Sequence, residues 1–193
     1  MAENVPGLVE RARTGDRRAF DDLARLHKDR IFNYLLRMVG DRSEAEDLAQ
    51  EAFLRAFRAL HRFRGGAAFP TWLYRIASNL AVDALRRRRR EAARSVSLEE
   101  PIGTDEGDVS RELPDPLPDP PQRAEQAELQ AEVQRAIAAL SPKLREAVVM
   151  FDIQGLTYEE IAEVTGVPLG TVKSRLFNAR SQLRDRLRTY VQA

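Results

Sequence analysis

Cysteine is absent from the 193-residue chain. That excludes disulfides, thiolate zinc sites and cysteine nucleophiles. Histidine occurs only at His27 and His61, so no histidine-rich metal centre can form. No nucleophile–base pair and no phosphate-cradling glycine loop is visible, so neither a metal, a cofactor nor catalysis is expected. Apolar runs fall well short of the ~18 residues of a membrane span. The opening residues, MAENVPGLVE, lack the apolar core of a signal peptide. No membrane insertion is expected, and the compartment implied is the cytoplasm. What is abundant is charge: 32% of residues are charged and 43% hydrophobic, the balance of a folded globular chain.

The net charge of +1 conceals a strong segregation. Residues 1–94 carry 20 Lys and Arg against 13 Asp and Glu, residues 95–128 carry 2 against 10, and residues 129–193 carry 9 against 7. From Thr171 onward the count is 6 against 1. Two basic blocks flank an acidic one, the pattern of two anion-binding modules on a tether. The tether reads SVSLEEPIGTDEGDVSRELPDPLPDPPQ over residues 95–122, and five of the ten prolines lie between Pro101 and Pro120. Proline removes backbone donors and holds its predecessor extended, and like charges extend the segment further. The expected organisation is therefore all-α: two small helical domains, residues 1–94 and 123–193, joined by an acidic, proline-rich linker at 95–122.

Apolar periodicity predicts helices throughout both domains and no sheet. One runs from about Arg17 to Val39 and stops at Gly40. A second starts at Ser43, which with Glu46 fits a capping box, and runs to about Phe63 before the Gly65-Gly66 pair. A third runs from about Pro70 to Arg94. Beyond the linker, Arg123–Leu140 is helical by pattern, Ser141 caps the next helix, Thr157 and Glu160 form another capping box, and Gly166 ends a short helix. The last helix spans about Leu169 to Val191.

Three faces carry candidate chemistry. The capped short helix, the turn at Gly166 and the long last helix form a helix-turn-helix pattern. Val172, Leu176, Ala179, Leu183 and Leu187 make its packing stripe. Thr171, Ser174, Arg175 and Asn178 share another face, flanked by Lys173, Phe177 and Arg180. Short polar groups and cations on the early turns of a second helix suit base edges and phosphates in a major groove. The pattern does not separate a repressor from an activator, and an ordinary helical hairpin with a wet face shares it.

On the helix from Ser43, Ala45, Ala49, Ala52, Phe53, Ala56 and Leu60 form the buried stripe. The opposite face carries Asp47, Glu51, Leu54, Arg55 and Arg58, with Leu54 an apolar residue amid charges. On the helix from Pro70, Leu73, Ile76, Ala77, Leu80 and Ala84 make the core, while Trp72, Arg75, Asn79, Asp83, Arg86 and Arg90 line another face. The preceding loop brings Phe63, Arg64 and Phe69 beside that face. Aromatics stack on unpaired bases while arginines hold the backbone, which is how single strands are bound. The same three aromatics equally suit a core.

Three stretches, DRSEAEDLAQEAFLRAF, FPTWLYRIASNLAVDALRRRRR and LSPKLREAVVMFDIQGLTYEEIAEVTGVPLGTVKSRLFNAR, carry a resemblance. They resemble, in order, regions 2 and 4 of bacterial RNA polymerase sigma factors of the extracytoplasmic-function (ECF) subfamily. The resemblance implies a protein that binds core polymerase, directs it to promoters in a stress or envelope response, and supports promoter melting. It assigns Asp47, Gln50, Glu51, Leu54 and Arg55 to the clamp helices of the largest subunit, with the flap as a further polymerase contact. It assigns Phe63, Arg64, Phe69, Trp72, Arg75, Asn79, Asp83 and Arg86 to the minus-ten element. There the family captures a base flipped from the nontemplate strand, against a few kcal/mol of stacking and pairing. Thr171, Lys173, Ser174, Arg175, Phe177, Asn178 and Arg180 fall to the minus-thirty-five element, although several relatives carry arginine where Asn178 stands. The acidic linker would thread the polymerase channels, and an anti-sigma factor would cover both domains. A duplex-binding regulator that works without polymerase, or an adaptor that binds only proteins, would leave the arginine-rich helix or the basic last helix without a purpose.

Overall fold

A computed structural model of the chain describes residues 5–63, 65–95 and 120–188. Among these there are eight α-helices and no strand. They are α1 (Val5–Arg13), α2 (Arg17–Val39), α3 (Arg42–Ala59), α4 (Phe69–Ser95), α5 (Pro120–Ala138), α6 (Pro142–Val148), α7 (Tyr158–Thr165) and α8 (Leu169–Arg186). Residues 189–191, expected in the last helix, lie outside the described residues, as do Arg64 and most of the proposed linker. At their ends α4 and α5 reach into the linker range, to Ser95 and from Pro120.

Local chemistry sets the helix limits. The Asp16 carboxylate accepts the Ala19 N–H at 3.2 Å and so caps α2. Arg11 holds that carboxylate in place and, with the backbone bond, keeps Asp16 below the usual carboxylate range. Gly40 ends α2 at φ 79°, where its N–H reaches the Leu36 carbonyl. α3 begins earlier than the sequence suggests. Asp41, not Ser43, is the cap, its carboxylate accepting from Glu44 N–H at 2.7 Å. Either residue can cap, and the earlier one adds hydrogen-bonded residues to the helix. The capping box at Thr157 and Glu160 is complete, and Gly166 closes α7 at φ 67°. Ser141 stands at the cap of α6 but makes no side-chain bond there. α1 has no counterpart in the sequence reading.

Helices α1 to α4 bury Phe20, Leu23, Ile31, Leu35, Met38, Ala52, Leu60 and Leu73 between them. α5 to α8 form a smaller bundle around Val149, Met150, Ile161, Val172 and Leu176. Between α6 and α7 the chain widens into a π-helical segment, Val149–Ile153, closed by a bond from Gln154 N–H to the Val149 carbonyl. The two bundles are not separate bodies. α7 packs on α4, α5 and α6 pack on α2, and the buried residues form one continuous cluster through both.

Candidate nucleic-acid interface

α4 has two functional faces. One is turned into the protein, where Tyr74, Ser78, Ala81 and Leu85 are buried. The other presents Arg75, Asn79, Asp83 and Arg86 to solvent, with Trp72 half-buried at its start. The structure thus groups five of the residues expected to meet the minus-ten strand. Phe63 and Phe69, expected to offer ring faces beside them, belong instead to the core. Their rings pack against Trp72 at centroid distances of 5.1 and 5.8 Å and against each other at 6.3 Å. They buttress the tryptophan, so one aromatic rather than three borders solvent. His27 packs on Phe69 from below, and burial lowers its pKa.

The arginine run divides by position on the helix. Arg88, though exposed, is engaged, pairing with Glu44 and donating to the Val39 carbonyl at 2.9 Å. It ties α4 to the start of α3 and to the open C-terminus of α2, where a cation suits the helix dipole. Arg86, Arg87 and Arg90 stay exposed and line a cleft of about 380 Å³ with Asp83, Leu80 and Arg55. Arg55, assigned from the resemblance to polymerase contact, therefore stands at the edge of the α4 face, where it also bonds Glu51 at 2.7 Å.

The outer surface of α3 carries Asp47, Gln50, Glu51, Leu54 and Arg55, all exposed or half-exposed. Leu54 and Phe57 are 42% and 41% exposed. With Phe20, Phe53, Arg17 and Asp21 they line a shallow groove between α2 and α3. Phe57 and the α2 residues were not singled out in the sequence. The helical spacing of Phe53 and Phe57 was visible there, but not which of the two would remain exposed.

In α8, Lys173, Ser174, Phe177 and Asn178 are exposed, and Phe177 is 75% so, the most open large apolar residue described. Thr171 and Arg175 are half-buried. Arg180 is exposed yet engaged: both its Nε, at 3.1 Å, and Nη2 donate to Asp152 in the π segment. Its guanidinium also lies 5.1 Å from the Phe151 ring centroid.

Beneath these faces runs a buried polar seam that sequence reasoning missed. Arg145 is 7% exposed and donates to the Met38 carbonyl across the seam and to the Ala138 carbonyl on its own side. Glu146 is 5% exposed and accepts the Ser78 hydroxyl. Burial raises its carboxyl pKa, while the Ser78 hydroxyl and the Arg175 charge pull the other way. Gln154 accepts the Tyr74 hydroxyl at 2.8 Å on its side chain and Arg30 at 2.7 Å on its carbonyl. Arg37 donates to Gln134 at 2.8 Å. Among the described residues no acidic or histidine group could hold a metal, and no helix is long and apolar enough to cross a membrane.

Comparison with known proteins places this architecture. Residues 23–91 match the family model for sigma-70 region 2 and residues 130–183 that for sigma-70 region 4. The RNA polymerase sigma-H factor of Pseudomonas aeruginosa is 42% identical over 177 residues, covering 91% of this chain and 90% of that one. The ECF RNA polymerase sigma-E factor of Escherichia coli K12 is 36% identical over 186 residues, covering 96% and 95%. The solved structure of the sigma factor RpoE with the anti-sigma factor NepR from Bartonella quintana is similar at TM-score 0.65 and 25% identity, over 88% of this chain and 96% of that one. CnrH, solved with the cytosolic domain of CnrY, shares the fold at TM-score 0.68 and 24% identity, over 94% and 96%. The chain belongs to the sigma-70 family of RNA polymerase sigma factors, in its ECF group. It is a transcription regulator that acts at initiation, in a family that binds core RNA polymerase and promoter DNA.

Proposed function

We propose that the chain works by binding alone, with each exposed face taking a separate partner. The module of residues 1–94 docks on core polymerase through the α2–α3 groove and Asp47, Gln50, Glu51 and Leu54. It holds the unpaired minus-ten strand on Trp72, Arg75, Asn79, Asp83 and Arg86, with Arg55 at the edge of that face and Arg64 as a further contact. Phe63 and Phe69 serve that site by fixing the Trp72 ring. The module of residues 123–193 reads the minus-thirty-five duplex with Thr171, Lys173, Ser174, Arg175, Phe177, Asn178 and Arg180, and contacts the polymerase flap. The acidic linker at 95–122 crosses the polymerase between them. The protein works in the cytoplasm, at the nucleoid when polymerase-bound, within a stress or envelope response, and an anti-sigma factor silences it.

The observation that carries this reading is the α4 surface. An indole, an amide and a row of exposed guanidiniums share one helix face, the combination that stacks a base while neutralising phosphates. A duplex-only regulator has no use for it. Run-off transcription with purified core polymerase tests the reading: transcripts should start at discrete promoters, and none should form without the chain. Asn79→Ala should impair open-complex formation, read by permanganate reactivity of unpaired thymines, while polymerase association stays intact. Unchanged melting would remove α4 from the strand-reading role.

A further inference from the structure

We propose that α8 reads its duplex through adenine and thymine rather than guanine: the Asn178 amide takes an adenine, and the Phe177 ring a neighbouring thymine methyl. The inference rests on the duplex-reading role of α8 given above and adds the bases it selects.

The first argument is angular. Successive helical residues point about 100° apart, and the buried row Val172, Leu176 and Ala179 fixes the side of α8 turned to the protein. Opposite that row, over the first three turns, lie Gly170, Ser174, Phe177 and Asn178, all exposed. A helix that turns this side to a major groove sets these residues over the base edges and its flanks over the backbones. Gly170 adds no side chain, so the first turn can come close to the bases.

The second argument is where the cations go. Lys173 and Arg180 share one flank and lean away from the centre. The Lys173 Nζ lies 5.8 Å from the Tyr158 ring centroid, and the Arg180 guanidinium 5.1 Å from that of Phe151. Those two rings stack at 4.7 Å, so one aromatic pair draws both cations to the same side. Asp152 holds Arg180 there as well. Arg175 stands on the other flank, half-buried, where its charge reaches the buried Glu146 carboxyl. Guanine is read in the major groove by an arginine or lysine on its O6 and N7. The centre of the face holds neither. The cations are placed for phosphates, which carry no sequence information.

The third argument is what the centre offers. The Asn178 amide has no partner among the described residues. Its N–H can donate to adenine N7 while its carbonyl accepts from adenine N6, a pair of bonds that no other base completes on its major-groove edge. Phe177 is 75% exposed. Laying that ring on a thymine methyl removes apolar area that the free chain leaves in water. Ser174 donates its hydroxyl to the Thr171 carbonyl at 3.0 Å, and a hydroxyl suits more than one base. Discrimination therefore falls to Asn178 and Phe177.

Selection with the holoenzyme tests the assignment. Core polymerase carrying the full chain is given a promoter found by run-off transcription, with its upstream element randomised, and the bound templates are sequenced. Wild type should prefer adenine to guanine at one position by about fivefold or more, with thymine preferred beside it. Asn178→Arg should convert that adenine to guanine and leave the other preferences in place. Phe177→Ala should lose the thymine preference, and uracil in place of that thymine should weaken wild type but not the variant. At the adenine position, 7-deazaadenine, which lacks N7, should weaken wild type severalfold; this measurement needs no variant and covers one that fails to fold. An Asn178→Arg holoenzyme that enriches the wild-type element would overturn the assignment. So would a wild type that enriches guanine where Asn178→Arg acts, or that binds 7-deazaadenine as well as adenine. Transcription retained with no base enriched upstream would refute duplex reading by α8, and the assignment with it. Absence of transcripts would refute the functional reading on which both stand.

Discussion

Whether Arg180 is a DNA contact or a strut can be decided by its partner. In the free chain both donor nitrogens grip Asp152 and the guanidinium rests on Phe151. Arg180 is 46% and Asp152 35% exposed at the side chain, so this is a surface ion pair. Such pairs contribute about 0.2–1 kcal/mol. If Arg180 turns to a phosphate on binding, that amount is lost first, and Asp152→Asn should tighten duplex binding by up to about fivefold. Removing a carboxylate beside DNA helps binding by itself, so the control is the same substitution in an Arg180→Ala background. There the gain should shrink. Salt dependence gives an independent measure, since each phosphate contact adds about 0.9 to the slope of log affinity against log salt. Arg180→Ala should flatten that slope by about 1. Phosphate contacts carry no sequence information, so fluorescence anisotropy on any labelled duplex across a potassium chloride series suffices. An equal gain from Asp152→Asn in both backgrounds, with an unchanged slope for Arg180→Ala, would refute the contact and leave Arg180 as a tie between α8 and the π segment.

Two further outcomes are expected. Leu54→Asp places a charge in the α2–α3 groove without touching the core, so helix content should hold while association with core polymerase, read by co-elution, weakens more than about tenfold; intact association would move docking elsewhere. Glu146→Gln keeps an acceptor for Ser78 and removes a buried charge. Because burial raises the Glu146 pKa, the folded chain holds that proton more tightly than the unfolded one. Its contribution to stability is complete below the ordinary glutamate value of ~4.3 and is lost as pH rises through the raised value. The variant escapes that loss: it should melt above wild type at neutral pH, with the difference closing below about pH 4, and a difference constant with pH would contradict the buried-charge account.

Much of the fold is local and was legible as such. The first steps of the α8 stripe, four and three, appear as the buried row Val172, Leu176, Ala179, and the two helix stops read from glycine, at Gly40 and Gly166, are left-handed as that reading requires. Errors arose where two residues could do one task. Asp41 and Ser43 are both sound caps, and only the hydrogen bond to Glu44 distinguishes them. α1 is short and carries Pro6 and Gly7, so propensity argued against it. It forms because Leu8, Val9 and Ala12 bury against the bundle. For the aromatics of the minus-ten face the limit was different. Phe63, Phe69 and Trp72 lie within ten residues, and composition cannot say which ring of such a cluster reaches water.

The seam was illegible for a physical reason that bears on how the chain works. Its partners lie 68 to 124 residues apart, and arginine, glutamate and glutamine read by type as surface. Four consecutive residues of α6, Arg145 to Val148, are buried, which encloses that helix on every side. Successive helical residues point about 100° apart, so no single stripe could have announced it. The enclosing surfaces differ in kind. Packing on α8 continues the apolar core that includes Ala147 and Val148, whereas Arg145 and Glu146 meet α2 and α4 through hydrogen bonds. On α6 the hydrogen bonds thus set the register in which the two bundles meet, while the apolar cluster that runs through both supplies the burial.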